Sequence, residues 1–165
     1  MELHRNLIRE WMVIGPFPNK QDEGFDAVYP PEKELDLKAR YTGRDGKEVG
    51  WRRVENGLGW MALNDLFSPR EHLAAYGTCV VHAPRAGRRT LLVGSDDAVK
   101  VWINGKLVWQ HFVMRALVAD SDQVQIDLVE GDNTLLIKLE QDVGELGWAV
   151  RFLDPRGELT YGLPK

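Results

Sequence analysis

The chain has almost no cysteine, no long apolar run and no excess of basic charge. Its single cysteine, Cys79, cannot form an internal disulfide. It sits in the strand-like run Tyr76-Gly77-Thr78-Cys79-Val80-Val81-His82, where cysteine serves as a small buried apolar residue. A nucleophilic role would need an electropositive, accessible setting that these neighbours do not specify. No stretch approaches the roughly 20 apolar residues of a membrane span. Met1 to Asn6 carry no apolar signal core, so the sequence reads either as a cytoplasmic protein or as a domain cut from a longer exported chain. There are 21 Lys and Arg against 25 Asp and Glu, a formal net charge of -4, which argues against sequence-independent binding to nucleic acid. Neither a Gly-x-Ser-x-Gly element nor a Walker loop occurs. His4, His72, His82 and His111 lack metal-ligand spacing. Two carboxylates suited to a glycosidase can always be found among 25 acidic residues, so their presence carries no catalytic signal. The sequence therefore reads as non-catalytic on its own, with no catalytic residue and no required cofactor.

What is present is a β pattern. The 165 residues suit one domain, 1–165, with a core over about 10–157. Val99, Val101 and Ile103 alternate with Lys100, Trp102 and Asn104, a period of two that gives a strand one apolar face. Asn104-Gly105 follows, and both residues tolerate the positive φ of a two-residue hairpin turn. Alternation returns at Val124, Ile126 and Leu128, the chain turns at Glu130–Asn133, and Leu135, Ile137 and Leu139 continue it. These four strands are expected to form one organising sheet. Trp11–Ile14 reads as a strand ended by a stiff Gly15–Asn19 turn. Residues 20–31 read as a loop, with Phe25 and Tyr29 folding back as anchors. Further strands are expected near Leu35–Tyr41, Val49–Val54, Tyr76–His82 and Leu146–Leu153, and an edge strand or tail after Gly157. The one helical turn expected lies at 63–73, limited by Pro69. Strands at this spacing, broken by Gly and Pro, predict an all-β antiparallel sandwich or barrel.

Ser95-Asp96-Asp97 followed by Val99–Val108 resembles the galactose-binding-like jelly-roll domains that serve as accessory modules in bacterial glycoside hydrolases and other carbohydrate-active proteins. Trp11–Pro18, Gly131–Gln141 and Gly147–Phe152 agree with the same pattern. The Ser-Asp-Asp start is also similar to PA14-type β-sandwich domains, some of which hold calcium, and through it a sugar, on adjacent aspartates. The resemblance implies a jelly-roll sandwich, a carbohydrate ligand, a catalytic domain in the same or another chain, and an exported or cell-envelope setting.

Two groups of residues carry the chemistry. Asp96 and Asp97 offer hard oxygens suited to calcium, and Asp120 and Asp122 would complete the set if their loop folds back. Alternatively, the short carboxylates bond their own backbone, as aspartates at strand entries do. After the hairpin, Trp109 offers a flat face for a sugar ring, while His111 and Arg115, with Asp96 and Asp97, offer groups for its hydroxyls. Alternatively, Trp109 packs in the core and His111 and Arg115 are solvated rim residues. The remaining tryptophans read as structural, except Trp51 and Trp60, which fit either role. The basic turn Arg85–Arg89 reads either as solvated or as an anion contact. The competing function is a structural or interaction sandwich that has no sugar site and packs against a partner.

Overall fold

The computed structural model describes residues 6–165; His4 and the rest of 1–5 lie outside the described residues. The strands are β1 (Glu10–Pro18), β2 (Arg40–Thr42), β3 (Glu48–Gly50), β4 (Arg52–Glu55), β5 (Met61–Ala62), β6 (Leu73–Ala83), β7 (Gly87–Asp96), β8 (Ala98–Ile103), β9 (Lys106–His111), β10 (Asp122–Leu128), β11 (Gly131–Gln141), β12 (Gly147–Phe152) and β13 (Thr160–Gly162). One short helix, α1 (Pro30–Lys33), lies between β1 and β2.

Two antiparallel sheets face each other. The larger runs β4-β1-β6-β11-β8-β9, with β13 also on β6, and the smaller runs β10-β7-β12-β5. Inward residues alternate as the sequence predicts: Val99, Val101 and Ile103 of β8 and Leu135, Ile137 and Leu139 of β11 meet Val124 and Ile126 of β10 and Trp148 and Val150 of β12. Trp11 and Trp148 close the centre edge-to-face, with ring centroids 5.3 Å apart. Cys79 is buried in this core, and burial pushes its thiol far above the usual range.

The hairpin forms as expected, with Asn104 and Gly105 both at positive φ. Asn104 Oδ1 accepts from Thr134 N (2.9 Å), and Asn104 Nδ2 donates to the buried Asn133 (2.9 Å), so the two turns are bonded to each other. The four organising strands do not share one sheet, however. β8, β9 and β11 belong to the larger sheet, whereas β10 pairs with β7 in the smaller. The excursion between β9 and β10 therefore crosses the end of the sandwich.

Three other expectations are corrected. β1 continues through Gly15–Pro18, because a register shift between Ile14 and Phe17 absorbs the prolines within the strand. The Val49–Val54 run breaks at Trp51: Val49 pairs in the small β2–β3 ribbon, and Val54 pairs with Trp11. Residues 63–73 hold a single turn, Leu66 N to Leu63 O, before β6 begins, and the helix lies instead at Pro30–Lys33. Proline suits a first helical turn, and Glu32 accepts from Tyr29 N to cap it. Phe25 and Tyr29 do fold back.

The excursion from Asn19 to Trp51 covers the outer face of the larger sheet. Ile14, Phe17, Ala74, Tyr76 and Leu136 form a second apolar cluster beneath it. At its centre is Lys138, whose side chain is 0% exposed. Its ammonium donates to Phe25 O (3.1 Å), Ala27 O (2.6 Å) and Glu32 Oε2 (3.0 Å). Tyr76 also donates to Glu32. Burial pulls the Lys138 ammonium below its ordinary range, against the charge of Glu32.

Two stability predictions follow from these contacts. A Cβ at Gly77 would lie 2.4 Å from Trp148 Cζ2, so Gly77→Ala should cost about 1–3 kcal/mol in urea unfolding, with a changed near-ultraviolet tryptophan signal. Lys138→Met leaves the largely covered Glu32 without its counterion and should cost about 3–5 kcal/mol, part of it recovered when Glu32→Leu is added. An unchanged urea midpoint in the single variant would refute the role given to Lys138.

Candidate functional site

The excursion from Phe112 to Ser121 and the β7–β8 junction build one end of the sandwich. Ser95, Asp96 and Asp97 are all buried there, and the Asp96–Asp97 peptide is cis. Ser95 Oγ donates to Asp97 O (2.6 Å), and Asp97 Oδ1 accepts from Arg115 N (2.9 Å). The aspartates thus bond their own turn and the excursion together.

Arg115 is the centre of this arrangement. Its guanidinium forks onto Asp122, at 3.0 Å to Oδ1 and 2.7 Å to Oδ2. Its other donors reach Ser95 O (3.2 Å) and Ser95 Oγ (2.9 Å). Trp109 Nε1 donates to Asp122 Oδ2 (3.3 Å), and His111 Nδ1 lies 3.1 Å from Asp122 Oδ1. Burial alone would raise Asp122, but the hydrogen bonds and charge of Arg115, with Trp109 and His111, bring it below the ordinary carboxylate range. The structure therefore brings Trp109, His111, Arg115 and Asp122 together, and four of the five guanidinium donors of Arg115 are engaged within the protein.

The four aspartates expected around a calcium ion do not gather. Asp122 is held by Arg115, and Asp120 by Arg151 at 2.7 Å. Among the described residues, no group of three or more His, Cys, Asp or Glu side chains is placed to hold a metal ion. His72, His82 and His111 each sit beside a different carboxylate, Asp142, Asp132 and Asp122. The basic turn is neutralised locally, with Arg85 and Arg89 on Glu158 and Arg88 on Asp127.

Sequence reasoning missed the buried Glu140 at this end and its apolar rim of Phe112 and Met114. Burial and the charges of Asp97 and Glu145 raise Asp96 to about 6. Burial also raises Asp97, although the N–H groups of Arg115 and Asp142 oppose it. Glu140, nearby on β11, is raised to about 7 by burial and by Asp22 and Asp97, against a hydrogen bond from Asn19. At 3% exposure under Asn19, its carboxyl is closed to a substrate. Among the described residues, Asp96, Asp97 and Glu140 form no ion pair. Phe112 is 55% exposed and Met114 70% exposed, with Phe112 edge-to-face on Phe25 at 5.1 Å. The alternation rule assigns faces only within strands, so it could not orient an irregular stretch.

The raised carboxyls fix the sign of a pH effect. In the folded state Asp96 and Glu140 hold protons that the unfolded chain, titrating near 4, has already released. Their stabilising contribution is complete below about pH 4 and is lost as pH rises through about 6 and 7. The lowered Asp122 acts only at lower pH, in the opposite sense. Glu140→Gln should therefore flatten the fall in stability between pH 5 and pH 8. Unfolding curves of equal slope against pH in the two proteins would contradict this.

No family model matches the sequence, and no curated protein does either. Solved structures do match. The GH2 beta-galacturonidase from Eisenbergiella tayi superposes at TM-score 0.50 and 12% identity, covering 92% of this chain and 25% of that one. The GH31 alpha-xylosidase from Xanthomonas citri gives TM-score 0.49 and 12% identity over 96% of this chain and 17% of that one. A family 35 carbohydrate binding module from an environmental isolate gives 0.45 and 14%, over 56% and 73% respectively. This chain spans about a quarter of the length of the galacturonidase. At such identity the likeness speaks to fold alone, and the chain is an all-β antiparallel sandwich.

Proposed function

We propose that this chain is a non-catalytic carbohydrate-binding module, accessory to a larger carbohydrate-active protein. The observation that carries the reading is the sandwich end where Asp97 accepts from Arg115 N, three residues along the excursion from the exposed ring of Phe112. A sugar ring offers an apolar C–H face and a belt of hydroxyls. Phe112 and Met114 suit the first, and the two carboxylates, as acceptors, suit the second. Trp109, His111 and Arg115 enter differently from the sequence expectation. Arg115 positions the excursion through Ser95 and Asp122, and Trp109 and His111 orient Asp122. The occurrence of this fold within a galacturonidase is consistent with an accessory role.

A second reading has its own observation. Phe112, Met114 and Val118 expose apolar side chains along one short stretch, as a surface that packs against a catalytic domain would.

Amide chemical shifts under millimolar titration with a broad glycan panel, with and without calcium, test the first reading. Binding should move the resonances of Asp96, Asp97 and 112–117, and the response should weaken about tenfold or more in Asp97→Asn. A panel that leaves every resonance unmoved refutes the binding module.

A further inference from the structure

A second set of cations faces a groove that shares no residue with the Asp96–Asp97 end. The β2–β3 ribbon, the bulged part of β1 and residues 66–68 enclose it. Arg40, Lys47 and Arg52 line it together with Trp51. Arg44 is already committed, donating to Glu71 O (2.7 Å) and Pro69 O (2.6 Å), and Asp45 lies 3.9 Å from it. That leaves Glu48 as the one further carboxylate lining the groove against three cations. Among the described residues, none of the three forms an ion pair. All three are exposed, so their charges are open to a ligand from solvent.

One guanidinium is anchored and another lies close over backbone. Arg52 donates through Nη2 to Leu66 O (2.6 Å) and lies 5.3 Å over the Phe67 ring, which fixes its plane; among the described residues its other guanidinium donors make no hydrogen bond. Arg40 crosses the bare backbone of Gly50, where a Cβ would meet its Nη1 at 2.7 Å and its Cζ at 2.9 Å. Gly50 is not at positive φ, so the absence of a side chain serves the close approach of Arg40, not a turn.

We propose that this groove binds a small ligand through one compact oxyanion group, a carboxylate or a phosphate, held by Arg40, Lys47 and Arg52 beside Trp51. Guanidinium forks match the paired oxygens of either group, and the half-buried indole provides an apolar face for the rest of a small ring. The proposal goes beyond the carbohydrate reading and does not depend on it, because a neutral sugar at the Asp96–Asp97 end would use none of these cations.

The test compares glucose, glucuronate and glucose 6-phosphate, which differ in charge on a common ring, by amide and indole chemical shifts. Glucuronate, glucose 6-phosphate or both should move the resonances of 40, 47–52 and the Trp51 indole, while glucose leaves them still. A response to only one of the anions identifies the group and upholds the site. Arg40→Gln should weaken binding about tenfold. Gly50→Ala, which keeps every charge but displaces the Arg40 guanidinium, should also weaken it, and Lys106→Gln on the distant hairpin should leave it unchanged. Melting temperatures confirm that each variant is folded. No movement in the groove with either anion, or a response that Arg40→Gln and Gly50→Ala leave intact, overturns the proposal.

Discussion

One ammonium group ties the outer layer of this protein to its larger sheet. Lys138 Nζ projects from β11 into the Asn19–Trp51 excursion and bonds two carbonyls and a carboxylate there. A charge removed from water is tolerated only when its donors are satisfied, so the excursion must close over Lys138 in one register. That closure brings Glu32 to Tyr76 and seats Tyr29 on Phe17. It also brings Asn19 onto Glu140 and Gln141 O. The acidic end of the sandwich therefore adjoins the covering layer, and Glu140 and Asp97 influence each other across that boundary.

The opposite side of the larger sheet is held by ordinary apolar packing, in which Gly77 gives Trp148 the room to lie against β6. The two sides work differently. The inner face tolerates small adjustments among aliphatic side chains, whereas the outer face depends on a few directional bonds.

The inner face was legible in the sequence because strand alternation follows directly from backbone geometry. Val99, Val101, Ile103, Leu135, Ile137 and Leu139 declare their side without reference to the rest of the chain, and Asn104-Gly105 declares its turn. Sheet membership was not legible: β10 alternates as cleanly as β8, yet pairs with β7 across the sandwich. Alternation says which side chains point together, not which strand lies alongside. The fold-back of Phe25 and Tyr29 was legible, but the polar residues beneath it were not, since Lys100, Lys138 and Glu140 look like solvent-facing residues until another segment is laid over them. At the site, Trp109, His111 and Arg115 converge on Asp122, but what Arg115 bonds was not legible. A guanidinium near a turn looks free in sequence, and only the fold shows that Asp122, returning on the other sheet, engages it.

The central pairing also sets how the chain must assemble. β6 and β11 are neighbours along their whole length, with Leu73 opposite Gln141 and Ala83 opposite Gly131. Every residue of β7 through β10 lies between them in sequence, so the central ladder closes a long loop and gains nothing from local contacts until it does. Such a topology places this chain among slow folders, in which the local β8–β9 hairpin can form early but the sandwich cannot close until its most distant partners meet.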